Sequence, residues 1–417
     1  MRFKVDRQVF ALAAAGALPL AVSLVMTPFL ARSLSDEGLE MAGAILVAHA
    51  FFGIFDMFRP SLTRELVHIE GPVSLKSLTR KSLIVAIGAS LLIAAISSVA
   101  LPQFGVAFAI SLGLSLFFFL MTGPFWARLE AVLRSGHAYL IRSLAIAMIF
   151  VGLVVVPLTI GEQYLPWVLL AGNAMSFALM LLVALPFVSI EGKPVHVSTQ
   201  EIALVFGQNL VRSAGDFADR IAALTFLGTD ASGKYNIVAD LPVKSGVISQ
   251  LASYYFYPRI CKDDTYLGRY MATGMIISFA ILSASIFFWV FGEWLYVLYF
   301  GERFQSLFPV FCFLVAAVGV NTLHFYLQSF MRSRKRNTEL FLSFLLPSIL
   351  GIGVYFVGAV DILTILLGIF LFRTSNVLLI FFSVAAGGKQ FLNYLVNYVL
   401  GSMLMAYFYL QVDPALF

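Results

Sequence analysis

The sequence predicts an all-α polytopic membrane protein with twelve or thirteen transmembrane helices, and three observations carry that prediction. Of its 417 residues 60% are hydrophobic and only 12% charged, and the mean hydropathy is +0.93, values that no soluble protein of ordinary surface reaches. Apolar segments of about 20 residues, the length needed to cross a bilayer, follow one another, separated by short polar breaks. Basic residues concentrate in alternate breaks.

Taken in order, the spans are 8 to 30, 40 to 60, 82 to 101, 104 to 126, 139 to 160, 164 to 189, 200 to 228, 233 to 256, 270 to 291, 306 to 330, 339 to 358, 361 to 385 and 391 to 411. The first follows Arg2, Lys4 and Arg7 as a signal peptide would, but stays apolar to Leu30, longer than a usual h-region, and is read as a retained helix. The last, "NYLVNYVLGSMLMAYFYL", either spans or lies in the interface, hence twelve or thirteen. Lys and Arg in short loops stay cytoplasmic. With the N-terminus inside, 20 of the 27 Lys and Arg are cytoplasmic, Arg32, Lys234 and Arg303 are opposite, and Arg212, Arg220, Lys244 and Arg373 fall within spans.

This asymmetry accounts for the net charge of +5 as topological charge, "MRSRKRN" included, and removes nucleic acid as a partner. No connection exceeds about 20 residues, too little for a catalytic or sensory domain outside the membrane. The outward connection near "FGEWLYVLYFGERFQ" reads as an interfacial belt with a short amphipathic element. There is no Walker A sequence, nucleotide-binding glycine loop or HExxH. Cys261 and Cys312 form no disulfide framework, the five histidines show no metal-ligand spacing, and His49 and His324 are read as packed core residues. No cofactor, metal or catalytic residue is expected.

Within this apolar background "RSAGDFADRI", Arg212 to Ile221, stands out. On a helix Gln208, Asn209, Arg212, Asp216, Asp219 and Arg220 fall within an arc of about 120°. A charge at mid-membrane costs upward of about 2.5 kcal/mol, so these groups face protein or water. The steps of four from Arg212 to Asp216 and from Asp216 to Arg220 allow partial neutralisation. Asn236, Asp240 and Lys244 repeat the arrangement in the next span, with Pro242 freeing a backbone carbonyl. His49, Asp56 and Arg59 of the second span lie within about 80° on a continuous helix, and Arg373 stands alone in the twelfth. Helix-to-helix ion pairing explains any one pair. Buried pairs are poor stabilisers compared with apolar packing, so a polar cavity explains the set better.

Several segments resemble the polysaccharide-export branch (Wzx-like O-antigen flippases) of the MOP, or MATE-like, transporter superfamily. "LVMTPFLARSLSDEGLEMAG" resembles that branch's first helix and following turn, and "DRIAALTFLGTDASGKYNIVADL" the start of its second half. "LEAVLRSGHAYLIRS" and "LQSFMRSRKRNTEL" resemble the loops after the fourth and tenth helices. A weak repeat agrees, with "LSDEGLE" at Leu34 and "LGTDASG" at Leu227 each joining an odd span to an even one.

The resemblance implies two six-helix bundles around a central polar cavity, residues 1–195 and 196–389, with 390–417 as an additional helix. It implies a flippase of the bacterial cytoplasmic (inner) membrane, moving a polyprenyl-pyrophosphate-linked oligosaccharide by alternating access for O-antigen, capsule or exopolysaccharide assembly. Membrane lipid and a polysaccharide polymerase with its assembly proteins are the expected partners. Arg212, Arg220, Lys244, Arg373 and Arg59 would bind pyrophosphate; Gln208, Asn209 and Asn236 would meet sugar hydroxyls. Asp216, Asp219, Asp240 and Asp56 are coupling-ion candidates. Four deep bases against four deep acids leave no net charge for an anionic cargo, so protonation in one state or a less anionic cargo remain open. The alternatives are a cation-coupled MATE-type small-molecule exporter, a non-transporting subunit of a polysaccharide synthesis complex, and a lipid-dependent enzyme.

Overall fold

The computed structural model describes residues 7–132, 134–246, 248–249, 252, 256, 260, 265–334, 336–357, 360–384 and 389–413. Cys261 and most of the predicted eighth span beyond 246 lie outside them. The chain divides into two compact units, Met1–Leu210 and Val211–Phe417. Among the described residues ten helices are long and apolar enough to cross a membrane. They coincide with predicted spans one to six and nine to twelve. The other three are helical where they are described: one carries the charged face, the second is described continuously only to Gly246, and the last runs from Lys389 to Tyr409.

The first unit contains α1 (Arg7–Ser33), α2 (Asp36–Phe51), α3 (Phe58–Leu66), α4 (Leu75–Ala100), α5 (Gly105–Ala131), α6 (Ser135–Thr159), α7 (Pro166–Ala184) and the beginning of α8 (Thr199–Phe226). α5 is its packing centre, touched by α3, α4 and α7, while α1 lies along α6. The turn before α2 shows how the local sequence works. Ser35 caps the helix, its hydroxyl accepting the Gly38 amide at 3.0 Å. Glu162, from the loop between α6 and α7, accepts the Ser35 amide at 3.0 Å and its hydroxyl at 2.5 Å. A Cβ at position 38 would lie 2.5 Å from the Glu162 carboxylate, which is why "LSDEGLE" needs glycine there.

The loops at the other ends of these helices are pinned too. Val73–Ser74 (β1) pairs in parallel with Val188–Ser189 (β2). Buried Arg128 donates to the carbonyls of Ile69, Gly71 and Phe187, and Lys81 donates to the Val197 carbonyl at 2.8 Å.

In the second unit, after the remainder of α8, come α9 (Thr229–Ser245), α10 (Thr265–Phe291), α11 (Glu293–Phe300), α12 (Phe308–Ser333), α13 (Asn337–Gly353), α14 (Ile362–Val384) and α15 (Lys389–Tyr409). α12 is central, touched by α9, α10, α14 and α15. The internal packing orders of the two units correspond. Spans three and four pack as α4 on α5 and spans nine and ten as α10 on α12, and the same holds for α5 on α7 and α12 on α14. The short α11 matches the predicted interfacial element, with Tyr296 and Phe300 buried and Trp294 and Leu298 exposed.

One expectation is corrected. The second span is not a continuous helix: α2 ends at Phe51, a single tight turn covers Phe52–Phe55, and α3 restarts at Phe58. Gly53 weakens the helix and Pro60 supplies no amide hydrogen. The arc of about 80° that a continuous helix would give His49, Asp56 and Arg59 therefore does not apply, although Asp56 and Arg59 pair directly.

Candidate functional site

The site builds outward from Gly215. A Cβ there would come within 2.1 Å of the Phe372 ring, so the absent side chain lets that ring of α14 lie against the α8 backbone. Gly351 of α13 is also close-packed, a Cβ there lying 2.8 Å from the Gly368 carbonyl and 2.9 Å from Phe372, and Ser348 ties α13 to α8 by donating to the Val211 carbonyl at 2.9 Å. With the three helices drawn together, the residue after Gly215 meets the residue after Phe372. Asp216 accepts from Arg373 on one carboxylate oxygen and from Arg212 Nε, at 3.1 Å, on the other. Arg373 also donates to Asn321 Oδ1 of α12 at 2.9 Å, and the Arg212 guanidinium lies over the Phe325 ring at 4.7 Å.

The next turn of α8 makes a second constellation with α9. The fully buried Tyr235 hydroxyl donates to Asp219 Oδ2 at 2.6 Å. Arg220, 2% exposed, donates to the Ala239 carbonyl at 2.9 Å, and Lys244 closes on Asp240 one turn along α9. Asn236 donates to the Ser232 carbonyl at 2.9 Å, while its side-chain oxygen is buried without a partner among the described residues. Asp216, Asp219, Arg220 and Arg373 line one cavity of about 30 Å³. That is room for about two water molecules and far too little for a sugar.

The remaining candidates belong to the first unit. Arg59 donates to Asp56 at 2.8 Å and to Glu130 at 3.0 Å, contacts the Tyr139 hydroxyl at 3.3 Å and lies over the Trp126 ring at 4.8 Å. Thr63 donates to the second Glu130 oxygen at 2.9 Å. Asn209 donates to the Asp56 carbonyl at 3.3 Å, and Gln208 is buried. The predicted stripe thus divides. Gln208 and Asn209 go with the first unit, whereas Arg212, Asp216, Asp219 and Arg220 share the second with Asp240, Lys244 and Arg373.

This division changes the charge balance. Asp56 pairs with Arg59 in the first unit, which leaves four bases (Arg212, Arg220, Lys244, Arg373) against three acids (Asp216, Asp219, Asp240) in the second. The surplus of one positive charge sits where an anion would be attracted, although every one of these acids already has a donor.

Sequence reasoning missed Glu130, Tyr235, Asn321 and Phe325. Glu130 falls beyond the predicted end of span four, but α5 continues through it. Asn321, His324 and Gln328 form a polar stripe at steps of three and four in an otherwise apolar span, a signal that was available. Nothing in the sequence links Tyr235 to Asp219, because the contact crosses helices.

Fold and charges together define a class, the multi-pass helical membrane proteins whose chain divides into two compact units. No family model matches the chain, and no curated protein is similar to it in sequence. Among solved structures, the lipid II flippase MurJ in an inward closed conformation is similar at a TM-score of 0.67 and 12% identity, covering 95% of this chain and 97% of that one. An inward-facing multidrug resistance MATE family transporter of the MOP superfamily is similar at TM-score 0.55 and 11% identity, covering 96% and 100%. A MOP superfamily transporter from Pyrococcus furiosus, described by the reverse polarity of its binding pocket, gives 0.55 and 12%, covering 96% of each chain. These neighbours are transporters and flippases, and at such identity the likeness is one of fold.

Proposed function

We propose that the chain is a flippase of the bacterial cytoplasmic membrane that carries a polyprenyl-pyrophosphate-linked oligosaccharide between leaflets by alternating access, with its N-terminus in the cytoplasm. The observation that carries this reading is the surplus of cations among the candidate residues of the second unit, four bases against three acids. A pyrophosphate accepts charge-assisted hydrogen bonds from guanidinium and ammonium groups, and a surplus of bases suits it. Similarity to MurJ supports a lipid-carrier cargo over a soluble one. In the conformation described the acids hold Arg212, Arg373 and Lys244, and a backbone carbonyl holds Arg220. Cargo binding therefore exchanges partners, Arg373 leaving Asp216 and Lys244 leaving Asp240 for phosphate oxygens. The polyprenyl tail stays in the bilayer, and Asn236, with its unsatisfied oxygen, is available to a sugar hydroxyl.

The second reading, a cation-coupled exporter of small molecules, draws on the similarity to MATE transporters. The basic surplus speaks against a cationic substrate. A single experiment separates the two: deletion of the gene, followed by analysis of carrier-linked oligosaccharides in lipid extracts and of their leaflet by lectin access to spheroplasts. Accumulation of completed units on the cytoplasmic leaflet, rescued by the wild-type gene but not by Arg212 or Arg220 variants, is the expected result. Unchanged glycolipids and surface glycans would refute the cargo assignment.

A further inference from the structure

The last helix, α15, meets the second unit at four levels, and the order of the contacts fixes its direction. The Tyr394 hydroxyl donates to the Met271 carbonyl of α10 at 3.2 Å. About one turn further along both helices, the Asn397 amide nitrogen donates to the Met275 carbonyl at 2.9 Å. At Gly401 a Cβ would collide with Val320 of α12 and lie 3.2 Å from Leu282 of α10, so the absent side chain lets both of those side chains rest against the α15 backbone. Near the end the Phe408 ring sits 5.3 Å from Trp289 of α10, and Tyr407 meets the same indole edge-on at 5.7 Å. Residue numbers rise together in the two helices, so α15 runs parallel to α10.

α15 has the length of a crossing. Lys389–Tyr409 is 21 residues, about 31 Å at a rise of about 1.5 Å per residue, against a hydrocarbon layer of about 30 Å. Its contacts on α10 run from Met271 to Trp289, most of a helix that is itself long and apolar enough to cross a membrane. A helix lying in the interface would meet α10 at one level. Composition does not single α15 out, because it contains Asn393, Asn397 and four tyrosines. A polar group without a partner in the hydrocarbon layer is costly. Tyr394 and Asn397 give their protons to α10 carbonyls, whose second lone pairs remain available beside the bonds of their own helix.

The last turn of α15 joins the aromatic group at the outward end of α10. Trp289 stacks on Phe308, and Phe308 meets Tyr296 of the short interfacial helix α11. We infer that α15 is a thirteenth crossing, parallel to α10 and docked on α12, and that it leaves Tyr409 beside α11 on the membrane face opposite the N-terminus. The docking also places α15 behind the charged site. Val320, which lies against Gly401, precedes Asn321, the acceptor for Arg373, so this turn of α12 is held between α15 on one side and α14 on the other. Neither the crossing nor the docking depends on the flippase reading.

The test uses the full chain in cells, with Cys261→Ser and Cys312→Ser, and a membrane-impermeant maleimide as the probe. Gln411, exposed just past the helix, and Arg334, exposed in the basic loop, are each changed to Cys. Gln411→Cys should label in intact cells and Arg334→Cys only after permeabilisation. Protection of both in intact cells puts Tyr409 on the side of the basic loop and overturns the crossing. Gly401→Cys combined with Val320→Cys sets two thiols at the α12–α15 contact and should form a disulfide on oxidation, read as loss of both alkylatable thiols in the denatured chain. Thiols that stay free while Gln411→Cys labels from outside would overturn the docking of α15 on α12. The labelling decides the crossing whether or not the double variant accumulates.

Discussion

Gly215 lies directly under the ring of Phe372, so that this one side chain of α14 reaches the backbone of α8. Gly215→Val should force the helices apart at a cost of about 1 to 3 kcal/mol and separate Asp216 from Arg373. Glycolipid transport should be lost while the protein still inserts, and Phe372→Ala should restore part of it. Failure of that second change to rescue would show that the glycine serves something other than this approach.

Arg220 is the most deeply buried base of the second unit among the described residues, and it holds the Ala239 carbonyl. Arg220→Ala should abolish transport while expression and membrane insertion stay near normal. Wild-type transport by the variant would remove the pyrophosphate role assigned to it.

The Tyr235 hydroxyl donates to a carboxylate in a fully buried setting. Tyr235→Phe should destabilise the folded protein by about 1.5 to 3 kcal/mol, the range for hydrogen bonds to charged groups. Thermal unfolding in detergent, followed by tryptophan fluorescence, would register this. An unchanged transition would mean that the acid is satisfied without Tyr235.

Arg59 neutralises two carboxylates that are 13 to 22% exposed. Arg59→Ala should destabilise the chain by roughly 2 kcal/mol, less than the loss of a fully buried ion-pair partner. Glu130→Gln should recover part of it, because it removes one of the two stranded charges. If both single variants are as stable as wild type, the cluster has no structural role.

The side of the membrane reached by the last helix is open to a direct check. With thirteen crossings an alkaline-phosphatase fusion after Phe417 should be active, and with twelve inactive.

The sequence discloses the helices well, because apolar runs bounded by charge have few other solutions. Among the described residues ten of the thirteen spans recur as long apolar helices, and α8, 28 residues long, is set apart by its charges. The individual ion pairs within a helix, Arg212 with Asp216 and Lys244 with Asp240, were legible from their steps of four. Partnerships between helices were not. Nothing local connects Arg373 to Asp216 or Tyr235 to Asp219, since each depends on how closely two helices pack, and Gly215 sets that distance in one case. The division of the stripe between two units was also hidden, because α8 runs uninterrupted through Leu210. The break between α2 and α3 could have been suspected from Gly53 and Pro60.

The pairing of Asp216 with Arg373 also has a consequence for how the chain is made. The two residues are 157 positions apart, so at 5 to 20 residues per second the ribosome takes about 8 to 30 seconds to supply the second after the first. During that interval α8 enters the insertion machinery with Asp216 paired only to Arg212, the base of its own helix that holds it in the finished fold. That neighbour, four positions earlier, serves as an escort during biosynthesis. A variant lacking Arg212 should therefore show a defect at the translocon, as retarded insertion of α8 in pulse-labelled cells, even where the finished protein keeps its Arg373 contact.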